Sequence, residues 1–344
     1  MMKKPTPLRP GDKVAITAAS SPVKPDSLAA GKKILESLGL RVRITESCYA
    51  THEYLAGTDE LRLRCLHDVF ADKSIRGIFL ARGGYGAARL LPHIDFELIR
   101  RNPKIFAGYS DVTALHNAIN QFAHLVTYHA PMPAADLPNS DDVTMESFVG
   151  KIFLEKKSSL AGDWGQRTQP LQVIAPGKAS GILTGGNLTV IASLIGTPYE
   201  IDTRGRILFL EEVGEAPYRI DRLLLQLKLA GKLSDAAGFI LGDINTGDTS
   251  AKPIILSKPE CVRRTAETGD TSAPESILSK PGGILLTKIK LAISELLISE
   301  IPEGKPILAG LACGHTMPNI TLPLGEVAKI STESLHPLQI CDHY

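Results

Sequence analysis

Gly77-Ile78-Phe79-Leu80-Ala81 runs directly into Arg82-Gly83-Gly84-Tyr85-Gly86, and this junction decides the fold. An uncharged apolar run of this length reads as a strand buried on both faces, and the glycines after it read as a sharp turn. Upstream, Lys13-Val14-Ala15-Ile16-Thr17 and Arg41-Val42-Arg43-Ile44-Thr45 read as further strands. Between them, residues 26–39 form an amphipathic pattern with Leu28, Ile34, Leu35 and Leu38 on one side. Residues 58–71 read as a second helix, Ile105-Phe106-Ala107-Gly108 as a fourth strand, and about Asp111 to Phe122 as the helix after it. Strands alternating with helices imply parallel βαβ units, hence a doubly wound, flavodoxin- or Rossmann-like α/β domain over residues 1–140. Functional groups in such sheets gather where strands end and helices begin.

Residues 141–175 lack sustained patterning and read as a linker with one helix near 143–154. A second α/β domain is expected over 176–344, with a strand at Arg206-Ile207-Leu208-Phe209-Leu210 and an apolar helix around 218–230. Within it, Gly247 to Ala251 and Ile255 to Pro259 recur as Gly269 to Ala273 and Ile277 to Pro281, an offset of 22 residues. Two copies are too few for a solenoid, so 247–281 is expected to be a duplicated surface loop.

At 344 residues the chain has the length of two domains. Apolar types make up 43% and charged types 22%, as in an ordinary globular protein. Thirty-eight basic against 37 acidic residues leave a net charge of +1, which gives no general reason to expect nucleic acid as a partner. No run approaches the ~20 apolar residues of a membrane span, and the first residues carry no apolar signal core. Five scattered cysteines without C-x-x-C spacing fit a reducing compartment, so a cytoplasmic location is expected.

Four stretches carry candidate chemistry. Arg82 to Gly86 reads either as a loop bringing backbone N–H groups to a ligand or as a plain tight turn. Ser110, in Gly108-Tyr109-Ser110-Asp111, reads either as a nucleophile at a strand-to-helix elbow or as a helix N-cap. Glu211, Glu212 and Glu215 read as a metal site, an acid/base pair or a solvated turn, with no histidine or cysteine pair nearby to favour metal. Alternation along the strand puts Glu211 on the face of Ile207 and Phe209, and Glu212 on the other. His315 follows Cys313, whose thiol reads as buried rather than nucleophilic. Together, a hydroxyl, a carboxylate and an imidazole at strand ends are the parts of a Ser-His-acid triad.

These stretches resemble the LD-carboxypeptidase family of serine peptidases, the muramoyltetrapeptide carboxypeptidases, whose relatives include the microcin C immunity peptidases. The resemblance rests on Tyr54 to Glu60, Arg82 to Gly86, Gly108 to Thr113, Gly185 to Leu188, Leu210-Glu211-Glu212 with Pro217 to Arg222, and Gly314-His315 with Pro318 to Gly325. It implies an N-terminal α/β domain, a C-terminal domain with a partly β-barrel-like core, and a site between them. It implies Ser110 as nucleophile, Glu211 as triad acid and His315 as general base. The oxyanion donors would be the N–H groups of Gly84 and Asp111, with Arg82 and Asn187 contacting substrate. The implied substrate is a cytoplasmic murein tetrapeptide that loses its terminal D-alanine in cell-wall recycling, with no metal or organic cofactor and a homodimeric enzyme. Two alternatives accompany it: a microcin-immunity-type peptidase cleaving a peptidyl nucleotide, for which Trp164 would supply a stacking surface, and an inactive murein-peptide-binding module. The 211–315 spacing exceeds the family's usual length, and Ala312-Cys313 stand where aromatic or proline residues are frequent.

Overall fold

The computed structural model describes residues 2–153, 168, 170–245 and 304–341. Five parallel strands, β1 (Lys13–Thr17), β2 (Arg41–Ile44), β3 (Ile75–Leu80), β4 (Ile105–Gly108) and β5 (Thr127–His129), lie in the order β2-β1-β3-β4-β5. This is the flavodoxin-type order, which reverses between β1 and β3 and opens a crevice at their carboxyl ends. Ile78 and Leu80 pack into one core, with Val69 and Phe70 of helix α2 (Asp59–Ala71). Phe79 and Ala81 pack into the opposite core, with Leu28 and Leu35 of helix α1 (Pro25–Ser37). Burial on both faces is why the run is continuously apolar rather than alternating.

The helix expected from Asp111 to Phe122 is three pieces: a 3₁₀ turn Ser110–Val112, helix α4 (Thr113–Ala118, after α3 at Phe96–Arg101) and a π-helical turn Ile119–Ala123. Ser110 and His124, at its two ends, both have left-handed backbone, with φ of 65° and 52°.

The stretch after residue 140 is more ordered than its composition implies. Helix α5 (Asp142–Ile152) adds Phe148 and Ile152 to the α1-side core. Strand β6 (Gln172–Ala175) lies inside the expected linker, at the edge of a second sheet. That sheet continues with β7 (Lys178–Asn187), β8 (Ile207–Val213), β9 (Gly238–Asn245), β10 (Ile307–Ala309), β12 (Val327–Ser331) and β13 (Leu338–Cys341). Its order is β13-β12-β7-β8-β9-β10-β6, and it curls as a half-barrel. Strand β11 (Leu322–Leu324) belongs to neither neighbour in sequence: it pairs antiparallel with β5 and completes the first sheet. The segment around β11 is thereby tied to the N-terminal domain. The duplicated segment 247–281 and Trp164 lie outside the described residues.

The two sheets meet at β7. A Cβ on Gly186, which has φ of 129°, would sit 2.5 Å from Oγ1 of Thr113 in α4, so only glycine lets the strand approach this closely. The Asn187 N–H donates to that hydroxyl at 3.0 Å. Asn187 is paired in register with Glu211 on β8, so the contact fixes β8 relative to the turn that carries Ser110.

Candidate active site

Ser110 sits where β4 ends. Tyr109 is extended, Ser110 is left-handed at φ 65°, and neither the 3₁₀ turn nor α4 has a side-chain cap. The N-cap alternative therefore does not describe this serine. Left-handed backbone costs a residue with a Cβ roughly 1 kcal/mol, and such strain recurs where a nucleophile must project from a sharp turn.

The glycine loop packs against it. A Cβ on Gly83 would lie 2.8 Å from the Ser110 Cβ and 2.9 Å from its Oγ. Gly84 has φ of 119° and abuts Ser21, whose hydroxyl accepts from the Tyr85 N–H at 3.2 Å. The Asp111 carboxylate locks this assembly, accepting from Ser20 Oγ at 2.6 Å and from the Ala87 N–H at 2.8 Å. One side chain thus ties together the ends of β1, β3 and β4. Burial raises the Asp111 pKa against these bonds. Arg62, fully buried, donates to the carbonyls of Ala19 and Gly86 and to Asp59, and braces the loop from behind.

Glu211 and His315 approach from the second sheet. Leu210 pairs with Leu241 and Glu212 with Ile244, which makes a bulge opposite Glu211. Bulges of this kind re-aim a side chain and recur beside active sites. Glu211 is completely buried, and its Oε2 lies 2.8 Å from His315 Nδ1. Burial pulls the His315 pKa down, but the Glu211 hydrogen bond and charge, helped by Asp136, carry it above the ordinary histidine value. Burial raises Glu211 against the same bond.

Glu212 faces the other way, as strand alternation requires. It accepts from the Thr189 N–H at 2.8 Å and from Asn187 Nδ2 at 3.3 Å, while Glu215 pairs with Arg219. The three carboxylates diverge, and no cluster of metal-binding side chains occurs among the described residues.

The His315 loop is pinned to the first domain. The Asn319 N–H donates to Thr144 Oγ1 at 2.8 Å and the Thr321 N–H to Ser147 Oγ at 3.0 Å, both hydroxyls on α5. The Tyr109 ring meets the imidazole edge-on at 4.8 Å, and its hydroxyl donates to Asp136 Oδ1 at 2.9 Å.

Ser110 and His315 line one cavity of about 450 Å³ in the crevice at the switch point, together with Arg82, Gly83, Gly84 and Lys24. His116 and His129 are also buried near the serine turn, but burial pushes both down, His116 to about 4, and neither lines the cavity. Asn187 does not reach the cavity either. Its side chain caps helix α6 (Leu188–Ser193), accepting from the Val190 N–H at 3.1 Å, and donates to Glu212. Cys313 is buried, donates to the Ile320 carbonyl at 3.1 Å, and is held far above the thiolate range by burial. Sequence reading did not single out Asp136 or Lys24, because neither lies in a motif with a chemical signature.

Residues 14–130 match the LD-carboxypeptidase N-terminal domain, and residues 180–274 match the LD-carboxypeptidase C-terminal domain. The chain is 39% identical to a probable murein peptide carboxypeptidase of Bacillus subtilis, over 96% of this chain and 92% of the relative. It is 27% identical to the microcin C7 self-immunity protein MccF of Escherichia coli, over 98% and 95% respectively. The crystal structure of muramoyltetrapeptide carboxypeptidase from Oxalobacter formigenes superposes with a TM-score of 0.70 at 26% identity, covering 96% of this chain and 99% of that one. With both domains matched in order and a relative similar over nearly its whole length, the chain belongs to the LD-carboxypeptidase family of serine peptidases.

Proposed function

We propose that the protein is a serine LD-carboxypeptidase that releases the terminal D-alanine of murein tetrapeptides, with Ser110 as nucleophile, His315 as base and Glu211 as the triad acid. The observation that carries this reading is the Glu211-held imidazole lining the same cavity as a serine in left-handed backbone. In this mechanism His315 Nε2 takes the Ser110 proton as Oγ attacks the carbonyl carbon of the L,D amide. Glu211 accepts the Nδ1–H hydrogen bond, fixes the tautomer and stabilises the imidazolium. The oxyanion takes hydrogen bonds from the N–H groups of Asp111 and Gly84, held in place before reaction by the Asp111 carboxylate. His315 then protonates the leaving amine of D-alanine. Water, deprotonated by the same imidazole, hydrolyses the Ser110 ester.

Mass spectrometry of purified protein incubated with L-Ala-D-Glu-meso-diaminopimelyl-D-Ala tests the reading. Loss of one alanine residue, leaving the tripeptide, is the expected result. An unchanged tetrapeptide beside a cleaved peptidyl nucleotide would transfer the assignment to the immunity-type reaction.

A further inference from the structure

We propose that Lys24 and Arg82 form a carboxylate-binding subsite that selects substrates by their free C-terminus, an inference that rests on the carboxypeptidase reading above. Both side chains line the cavity that contains Ser110 and His315, and among the described residues no carboxylate lines it with them. Neither makes an ion pair among the described residues. Arg82 is oriented by its Nη1, which donates to the Pro22 carbonyl at 3.2 Å. That bond places the guanidinium against the short segment leading to Lys24, the residue that caps α1. The α1 dipole adds positive potential at the same point. Asp136 follows the lining residue Ala135, but its two oxygens are engaged by the Tyr109 hydroxyl and the Met132 N–H.

The rest of the wall has a matching shape. Met132, Ala134 and Ala135 are small or pliable apolar residues lining the same cavity. A leaving group with one charged end and a methyl side chain, such as terminal D-alanine, satisfies both halves. Two cations facing one anion make charge-assisted contacts, roughly twice as strong as hydrogen bonds between neutral groups. An uncharged terminus would forgo both charge-assisted contacts and leave the half-buried Arg82 guanidinium without an anionic partner in the cavity.

The test compares kcat/KM for the tetrapeptide acid with that for its C-terminal carboxamide. Wild-type enzyme is expected to prefer the acid by about 100-fold or more, since each charge-assisted hydrogen bond is worth about 10- to 100-fold. Lys24→Met and Arg82→Met should each erode the preference by about 10-fold, mainly through KM, and Lys24→Arg should preserve most of it. Lys24 is exposed, so its substitution probes the charge even where Arg82→Met disturbs the loop. Equal rates for acid and amide with wild type, or a preference surviving in the double variant, would overturn the subsite while leaving the peptidase reading intact. A folded wild-type protein that cleaves neither peptide would overturn both.

Discussion

Glu211 Oε2 and His315 Nδ1 meet at 2.8 Å, joining residues 104 positions apart in the chain. The carboxylate is fully buried and the imidazole reaches the cavity, so the pair runs from core to solvent. Burial disfavours a charge on either group alone, whereas one proton held between them keeps the pair compensated. The consequence for His315 is a pKa above the ordinary ~6.5 of histidine.

That direction sets the pH profile. In the proposed mechanism neutral His315 is the active base, so kcat/KM should rise with pH through the His315 pKa, on the alkaline side of 6.5. Asp136→Asn removes a second negative charge acting on the ring and should move the rise to lower pH without abolishing turnover. A profile flat between pH 5 and 9, or a shift in the opposite direction, would exclude His315 as the titrating base.

The two adjacent glutamates should separate cleanly. Glu211→Gln keeps the shape but loses the charge behind the imidazole, and kcat should fall by roughly 10⁴-fold. Glu212→Gln weakens the bonds to Asn187 and the Thr189 N–H, and should lower stability by about 1–3 kcal/mol with a far smaller loss of kcat. Thermal unfolding alongside steady-state kinetics distinguishes them; matching losses of kcat would mean the acid is misassigned.

Gly83→Ala isolates the packing around the serine. Its backbone is compatible with alanine, but the new methyl would lie 2.8 Å from the Ser110 Cβ, so the loop or the serine must shift. A displacement of this kind should cost at least about 10²-fold in kcat while the protein stays folded. Wild-type turnover in this variant would show that the serine turn tolerates movement.

The strands and turns that carry this candidate site are legible in the residues alone, while the roles proposed for Ser110, Glu211 and His315 come from the family resemblance. Gly77–Ala81 and Ile105–Gly108 are strands buried on both faces, and an apolar run followed by a turn announces both the strand and its functional end. Glu211 could be assigned a face because Ile207 and Phe209 share it. Strand β7 is harder to read because Lys178 to Asn187 contains three glycines, which weaken any strand pattern. It is a strand because β8 and β12 pair with it, and its glycines serve close approaches rather than a turn: Gly186 to Thr113, Gly185 to the Phe209 carbonyl and Gly181 to the Gly205 carbonyl. β11 was equally hidden: Leu322-Pro323-Leu324 has only three residues, and its partner β5 is nearly 200 positions away. Asn187 matched a family motif, yet a motif cannot tell a substrate contact from a helix cap.

The central claim is that Ser110 Oγ is the nucleophile, and Ser110→Ala tests it most directly. The variant, purified and shown by circular dichroism and thermal melting to be folded, is assayed on the murein tetrapeptide beside wild type. Removing a triad nucleophile should lower kcat by on the order of 10⁴- to 10⁶-fold while substrate still binds. Release of D-alanine by the folded variant at more than a few per cent of the wild-type rate would contradict it.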